Sequence, residues 1–133
     1  MKRYYVTLMI TLLVMQVNLA QTKVSLLDEN QVKEYLSLSD EQSEKINLKI
    51  NSIKQILDED YKIISDLKER FNSGDEPGFF EKISVKRGRD KRVKNIKNLI
   101  EDIEDQLTNE QKMKFKNVDK PFLNPLSKDE LTK

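Results

Sequence analysis

The residues best suited to bind another molecule form one basic run with aromatic residues at its start. From Phe79 to Lys97 the chain has eight Lys and Arg residues and only two acidic residues. Such cations attract an acidic partner over about 8 Å at physiological salt, and apolar side chains beside them can then hold the contact. The candidate partner-binding residues are Phe79, Phe80, Lys82, Ile83, Lys86, Arg87, Arg89 and Arg92.

Two plainer interpretations of this run stay open at the level of the sequence. The cations could form a solvated helix face, paired with acidic stretches such as residues 58–60 and 101–105. The two phenylalanines could be core residues that close a turn between helices, because aromatic side chains gain much from burial. The sequence does not choose between these interpretations and a binding surface.

Catalytic and metal-binding chemistry are not expected. The chain has no His, which removes the most common general base and metal ligand, and no Cys, which removes thiolate chemistry, disulfides and a lipid-modified cysteine. Its many carboxylates fall on helix faces that we predict to be exposed, and the sequence has no glycine-rich phosphate loop. We therefore predict a protein that is not an enzyme and that uses no cofactor and no metal.

The amino-terminal residues have the order of a secretory signal peptide. Lys2 and Arg3 precede an apolar run from Val6 to Val17, and the small residue Ala20 follows. The run is about a dozen residues long, whereas a membrane-spanning helix needs roughly 20. We predict cleavage after Ala20, export to the periplasm and no stable membrane anchor afterwards. Export, together with the lack of an aromatic stacking platform, argues against nucleic acid as a partner.

The rest of the chain has the pattern of an all-α protein. Glycine occurs at only three positions, and no stretch shows sustained alternation of apolar and polar residues. Capping patterns predict a short helix at residues 29–36 and a long helix at residues 40–71. Segment 72–80 contains two glycines and a proline, so it predicts a turn.

A second long helix should begin at about Phe80 or somewhat later and end at Gln106, with Gly88 as a weak position. A capping pattern at Thr108 then predicts a short last helix. Both long helices carry an apolar stripe at alternating steps of three and four residues, interrupted once at Asp60. The stripe residues are Ile46, Ile50, Ile53, Leu57, Ile64, Leu67 and Phe71, then Val93, Ile96, Ile100, Ile103 and Leu107.

Two such helices joined by a turn form a single layer whose apolar stripes stay partly exposed. A second copy of the chain would cover them, so we expect a coiled-coil-like helical hairpin that forms a homodimer. The predicted organisation is a signal peptide at residues 1–20, a helical domain at residues 21–118 and a flexible C-terminal tail at residues 119–133. Pro121 and Pro125 lie in that tail.

The same five-residue pattern starts two of the predicted helices. LSDEQ spans Leu38–Gln42 and LTNEQ spans Leu107–Gln111, each with leucine first, a hydroxyl residue second and glutamine fifth. Either pattern alone is simply a good helix cap. Two copies that flank a helical hairpin, in an exported chain without cysteine, resemble the paired LTXXQ motifs of the Spy/CpxP family. The motif residues are Leu38, Ser39, Gln42, Leu107, Thr108 and Gln111.

The resemblance covers roughly residues 32–118 and implies a function. Members of this family are periplasmic proteins of the envelope stress response that form thin, curved, antiparallel homodimers of helical hairpins. Some act as ATP-independent chaperones that bind unfolded or misfolded polypeptides, and others inhibit a sensor kinase by binding its periplasmic domain. Relatives that bind metal do so through histidine, which this chain lacks. The resemblance therefore implies a binding protein whose partner is either an unfolded polypeptide or a sensor-kinase domain.

Overall fold

The computed structural model describes residues 23–127, and within them the fold is all-α. Four helices follow one another along the chain: α1 (Glu29–Leu36), α2 (Asp40–Asn72), α3 (Phe79–Asp105) and α4 (Asn109–Phe115). Helices α2 and α3 pack along each other as a long antiparallel hairpin, and α1 packs against α4. The predicted all-α fold, a long helical hairpin with short flanking helices, is therefore confirmed.

Side-chain caps begin three of these four helices. The Asp28 carboxylate accepts a hydrogen bond from the Gln31 amide at the start of α1, with 3.1 Å between Oδ1 and N. Ser39 and Thr108 form complete capping boxes at the starts of α2 and α4. Helix α3 follows Gly78, which has no side chain to cap it. Local chemistry therefore defines the turn end of the hairpin less firmly than the other end, which we call the motif end.

The turn between α2 and α3 contains a left-handed glycine and a buried proline. Gly74 has a φ of 81°, a conformation that favours glycine, and it follows the end of α2. Pro77 is buried, whereas the residues on either side of it are exposed. Helix α3 then begins at Phe79, slightly earlier than predicted, and continues past Gly88 without interruption. The weak position at Gly88 therefore neither delays the start of this helix nor interrupts it.

The hydrophobic core lies at the motif end. There the stripes of α2 and α3 meet α1, α4 and the segments beside them, and Ile46, Ile50 and Ile53 have no exposed surface. The short helices thus supply a second layer within one chain. The expectation that these stripes need a second copy for their burial is wrong for this half, while the homodimer itself stays a prediction. The buried residues of this core are Leu26, Val32, Leu36, Leu38, Ile46, Ile50, Ile53, Ile96, Ile103, Leu107, Phe115 and Val118.

Towards the turn the stripe of α2 is only partly covered. Leu57, Ile64 and Phe71 are half-buried, whereas Leu67 is 5% exposed. Helices α1 and α4 lie at the other end, so this half of the hairpin is a single helical layer of α2 and α3, which part of the segment after Asp119 reaches at Arg89. The expectation of a single layer with partly exposed apolar stripes is therefore confirmed for the half near the turn.

Residues 119–127 lie against the helices, although the sequence predicted a flexible tail from Asp119 onward. The Asp119 amide donates to the Val24 carbonyl at 2.7 Å, and the Leu26 amide donates to the Asp119 carbonyl at 2.8 Å, in an isolated parallel bridge. Leu126 is 8% exposed. The expectation of a flexible tail is corrected for residues 119–127, because paired backbone groups and buried leucine hold this segment in place. We call it the C-terminal strap.

Two predicted segments lie outside the described residues: the signal peptide at residues 1–20 and the end of the predicted tail at residues 128–133. Within residues 23–127, no helix combines the length and the apolar character that crossing a membrane would require. The prediction of export therefore depends on the sequence pattern alone.

Candidate functional site

The two five-residue motifs meet at the motif end of the hairpin. Leu38 and Leu107 are 8% and 7% exposed and extend the core. Ser39 at α2 and Thr108 at α4 each accept a hydrogen bond from the amide three residues later, at 3.1 and 3.3 Å. Both predicted caps are therefore confirmed.

The glutamines of the two motifs also hydrogen-bond to each other. Gln42 Nε2 donates to Gln111 Oε1 at 2.9 Å, and Gln111 Nε2 donates to Gln42 Oε1 at 3.2 Å. Each Nε2 donates as well to a backbone carbonyl just before the other motif, Gln42 to that of Gln106 and Gln111 to that of Leu36. Each Oε1 accepts from the amide of its own capping residue. The two motifs thus link the start of α2 to the start of α4 through hydrogen bonds in both directions.

This reciprocal contact explains why the fifth residue of each motif is glutamine. Glutamate would serve a capping box equally well, but it has no N–H group to donate to the other motif or to a carbonyl. The sequence predicted both caps and missed their contact. The available signal was glutamine at both positions, 69 residues apart, where a cap alone needs only an acceptor.

Two residues of the basic run lie inside the hairpin. Arg89 and Arg92 of α3 both donate to the Asp60 carboxylate of α2, with 2.9 Å between Arg92 Nε and Asp60 Oδ1. The three side chains are only 5% to 12% exposed. The assignment of Arg89 and Arg92 to partner binding is therefore corrected, because burial and pairing with Asp60 withdraw both guanidinium groups from the surface.

This buried ion cluster explains the single interruption in the apolar stripe of α2. A carboxylate inside the stripe needs buried partners of opposite charge, and the two guanidinium groups supply them. Gly88 makes room for this arrangement, since a Cβ atom there would lie 3.2 Å from Arg92 Nη1. The interpretation of the run as cations paired with acidic residues is thus confirmed for Arg89 and Arg92.

The other cations of the run are exposed on the outside of α3. Arg87, Lys91 and Lys94 follow one another at steps of four and three residues, and Phe80 lies seven residues before Arg87. Residues at these spacings share one face of a helix, so the row is about 21 Å long. Within the described residues Arg87, Lys91, Lys94 and the exposed Lys86 form no ion pair, whereas Lys82 pairs with Glu76 and Lys97 with Glu101. The basic face comprises Phe79, Phe80, Lys86, Arg87, Lys91 and Lys94.

The two phenylalanines form the aromatic end of the basic face. Phe79 is 72% exposed and Phe80 is 84% exposed. Their rings contact each other edge to face, with 5.6 Å between the centroids. The interpretation that they close the hairpin as core residues is therefore wrong, because both rings lie mainly in solvent.

The remaining two candidates, Lys82 and Ile83, lie at the edge of this surface. Lys82 Nζ is 2.7 Å from Glu76 Oε1 and 5.7 Å from the centre of the Phe71 ring. Its amine is therefore held against the hairpin. Ile83 is half-buried. Neither residue is therefore part of the fully exposed surface.

Ion pairs fix the turn beside the phenylalanines. Arg70 Nε lies 2.9 Å from Asp75 Oδ2, and the other guanidinium nitrogens bind the Glu81 carboxylate. The hydrogen bonds from Arg70 lower the pKa of Glu81 below its usual 4.5. The turn end thus depends on charge pairs near the surface, whereas the motif end depends on buried contacts.

Comparisons with known proteins leave the family open. No family model, curated protein or solved structure matches this chain. The resemblance to the Spy/CpxP family therefore stays a prediction that rests on the paired motifs and on the helix order. Within residues 23–127, no group of three or more acidic residues is placed to hold a metal ion.

Proposed function

We propose that this protein is an ATP-independent, chaperone-like protein of the periplasm that holds unfolded or misfolded polypeptides on the basic face of α3. The observation that carries the proposal is the exposure of Phe79 and Phe80, 72% and 84%, beside exposed cations. Adjacent aromatic rings in water, rimmed by charge, are characteristic of surfaces that bind another polypeptide.

On this face, electrostatic attraction would act first and apolar contact second. The cations Arg87, Lys91 and Lys94 would speed the encounter with acidic clients over about 8 Å at physiological salt. The phenylalanine rings would then cover apolar client side chains, gaining roughly 25 cal/mol per Å² of apolar surface removed from water. Because this contact area is small, binding is weak and reversible. Release then needs no nucleotide.

The basic face lies apart from the hydrophobic core and the two motifs, although it shares α3 with Arg89 and Arg92 of the ion cluster. The face lies on α3 from the turn to Lys94, whereas the core and both motifs lie at the motif end. A client on the basic face would therefore leave the core and the contact between the motifs undisturbed. This separation supports a holding role, in which the protein keeps its own fold while it binds.

Location and oligomeric state belong to the same proposal. The amino-terminal order of cations, apolar run and Ala20 supports export, and the paired motifs support a relation to the Spy/CpxP family. Leu57, Ile64 and Phe71 are half-buried near the turn, and we expect a second copy to cover this part of the stripe in a homodimer.

An aggregation assay without ATP tests the proposal, with protein lacking residues 1–20 and a chemically denatured acidic client. We expect equimolar protein to suppress aggregation. The variant Phe80→Ser/Arg87→Glu/Lys91→Glu should lose most of this activity, because it removes the aromatic contact and reverses two charges of the basic face. Arg89 and Arg92 stay unchanged, since their loss would leave Asp60 buried without a partner.

A matched control makes the same kinds of change away from the basic face. Met113→Ser/Lys68→Glu/Lys116→Glu replaces three exposed residues and should keep full activity. Equal activity of the basic-face variant and the control would refute the assignment of the face. Saturable binding to a sensor-kinase periplasmic domain, without general suppression of aggregation, would instead support the regulatory alternative.

A further inference from the structure

The C-terminal strap covers an apolar cleft on α3. The cleft has a volume of about 510 Å³. Leu123 packs against the hydrophobic core, whereas Phe122 is 75% exposed. The strap therefore forms one wall of the cleft, and the open volume lies between the strap and α3. The apolar lining residues are Val93, Ile96 and Ile100 from α3 and Pro121, Phe122 and Leu123 from the strap.

The strap runs along α3 as a nearly straight chain. Lys120 lines the cleft together with Ile100, and the Asn124 carbonyl accepts a hydrogen bond from Arg89 Nε at 3.0 Å. On the helix, Ile100 and Arg89 are separated by roughly 16 Å. The four chain steps from Lys120 to Asn124 span at most about 14 Å. Residues 120–127 form no helix, turn or bend, so the strap is extended over this stretch.

After Lys120, the strap is held by contacts that many polypeptides could make. At its start, Lys120 Nζ donates to the carbonyls of Phe115 and Val118, at 2.6 and 3.1 Å. Farther along, Leu123 and Leu126 pack against the helices, and Arg89 binds a main-chain carbonyl. Every polypeptide offers main-chain carbonyls, and leucine is a common residue. The contacts beyond Lys120 thus select an extended apolar chain and no particular sequence.

We propose that the apolar face of α3 beneath the strap is a binding groove for an extended apolar segment of a client polypeptide, and that the strap occupies this groove when no client is bound. Displacement of the strap exposes Val93, Ile96 and Ile100, so the apolar surface available to a client grows. The inference extends the proposed function to a second surface. It does not use the basic face, and its test is independent of that face.

The experiment measures binding of a fluorescent peptide with the sequence of residues 119–127 to protein lacking residues 1–20. The variant Leu123→Ser/Leu126→Ser weakens the strap in its groove and leaves the groove residues of α3 unchanged. We expect this variant to bind the peptide with a Kd lower by about tenfold or more, because a closed strap competes with the peptide. A control peptide with serine at the two leucine positions should not bind.

Two further measurements keep the result clear. Circular dichroism checks that the double variant stays helical, and Leu126→Ala takes its place if it does not. In the weakened-strap background, Val93→Lys should abolish peptide binding. Equal binding by the natural chain and the weakened-strap variant would overturn the inference. A doubled mass of the natural chain in sedimentation that is lost in Leu123→Ser/Leu126→Ser would also overturn the inference. In that case the groove would hold the strap of a second copy. These outcomes do not depend on the aggregation assay of the basic-face variant, so the two proposals can fail separately.

Discussion

The two ends of this hairpin are held by different kinds of interaction. At the motif end four helices converge, Ile50 has no exposed surface, and Gln42 and Gln111 bind each other through their side-chain amides. At the turn end only α2 and α3 pair, ion pairs of Arg70 fix the corner, and Phe80 is 84% exposed. The motif end has the features of a folding core, and the turn end those of a contact surface.

The ion cluster of Asp60, Arg89 and Arg92 lies between the two ends. It closes the hairpin at the point where the core at the motif end gives way to the half-buried stripe near the turn. Buried ion pairs add little net stability compared with apolar residues, but removing one partner is costly. The buried contacts thus lie at the motif end and at this boundary, and the exposed aromatic rings lie beyond them, at the turn.

The largest expected effect is at the motif end. Ile53→Asp places a charge at a side chain with no exposed surface, and removing a buried isoleucine alone costs about 2–5 kcal/mol. We expect the cooperative unfolding transition in urea, followed by circular dichroism, to disappear. Leu48→Asp makes a comparable change at a side chain that is 66% exposed, and should alter the free energy of unfolding by about 0.5 kcal/mol or less. Similar losses in both variants would contradict the location of the core.

The second largest effect on stability is expected at the ion cluster between the two ends. Asp60→Ala leaves Arg89 and Arg92 buried without a carboxylate, and should lower the free energy of unfolding by about 3–5 kcal/mol in urea titrations. Asp90→Ala removes an exposed carboxylate from the same stretch of α3 and serves as the control. If the two variants unfold alike, the cluster does not close the hairpin.

A smaller effect distinguishes capping from the contact between the motifs. Gln111→Glu keeps an acceptor for the capping box but removes the donations to Gln42 and to the Leu36 carbonyl. We expect a loss of about 0.5–1.5 kcal/mol in the free energy of unfolding, because two part-buried acceptors each lose a hydrogen bond. Gln55→Glu makes the same change at an exposed position of α2 and should be nearly neutral. An unchanged Gln111→Glu variant would reduce the motifs to two independent caps.

The smallest effect is at the turn and depends on pH. Hydrogen bonds from Arg70 lower the pKa of folded Glu81, so this pair contributes stability that is present above pH 4.5 and is lost as the pH falls through the lowered pKa. Glu81→Gln should therefore be less stable than the natural chain at pH 7, and the difference should shrink in acid. Urea titrations at pH 7 and pH 3 measure it, with Glu110→Gln as the control. A difference that persists in acid would show that charge pairing with Arg70 is not its source.

The helices could be predicted from the sequence because their signals are local. Ser39 and Thr108 stand three residues before glutamine, and the apolar stripes repeat every three to four residues. The position of the strap could not be predicted in this way. Its half-buried Leu123 and buried Leu126 lie in an irregular segment that contains two prolines, so no periodic pattern marks the face that they bury.

The candidate site was only partly predictable, because which cations are exposed depends on a distant residue. Asp60 is 29 and 32 residues from the two arginines that it binds, and no short motif records that pairing. The exposure of Phe79 and Phe80 has a similar cause. Aromatic residues beside a turn are buried only where a second layer covers them, and the short helices supply that layer at the opposite end.

Hydrogen–deuterium exchange, with and without an unfolded acidic client, tests most directly whether binding and stability belong to different ends of the hairpin. We predict that the client slows exchange in residues 79–94 and leaves residues 38–42 and 107–111 unchanged. Client-dependent protection confined to the two motifs, or no client-dependent change anywhere in the chain, would contradict this division.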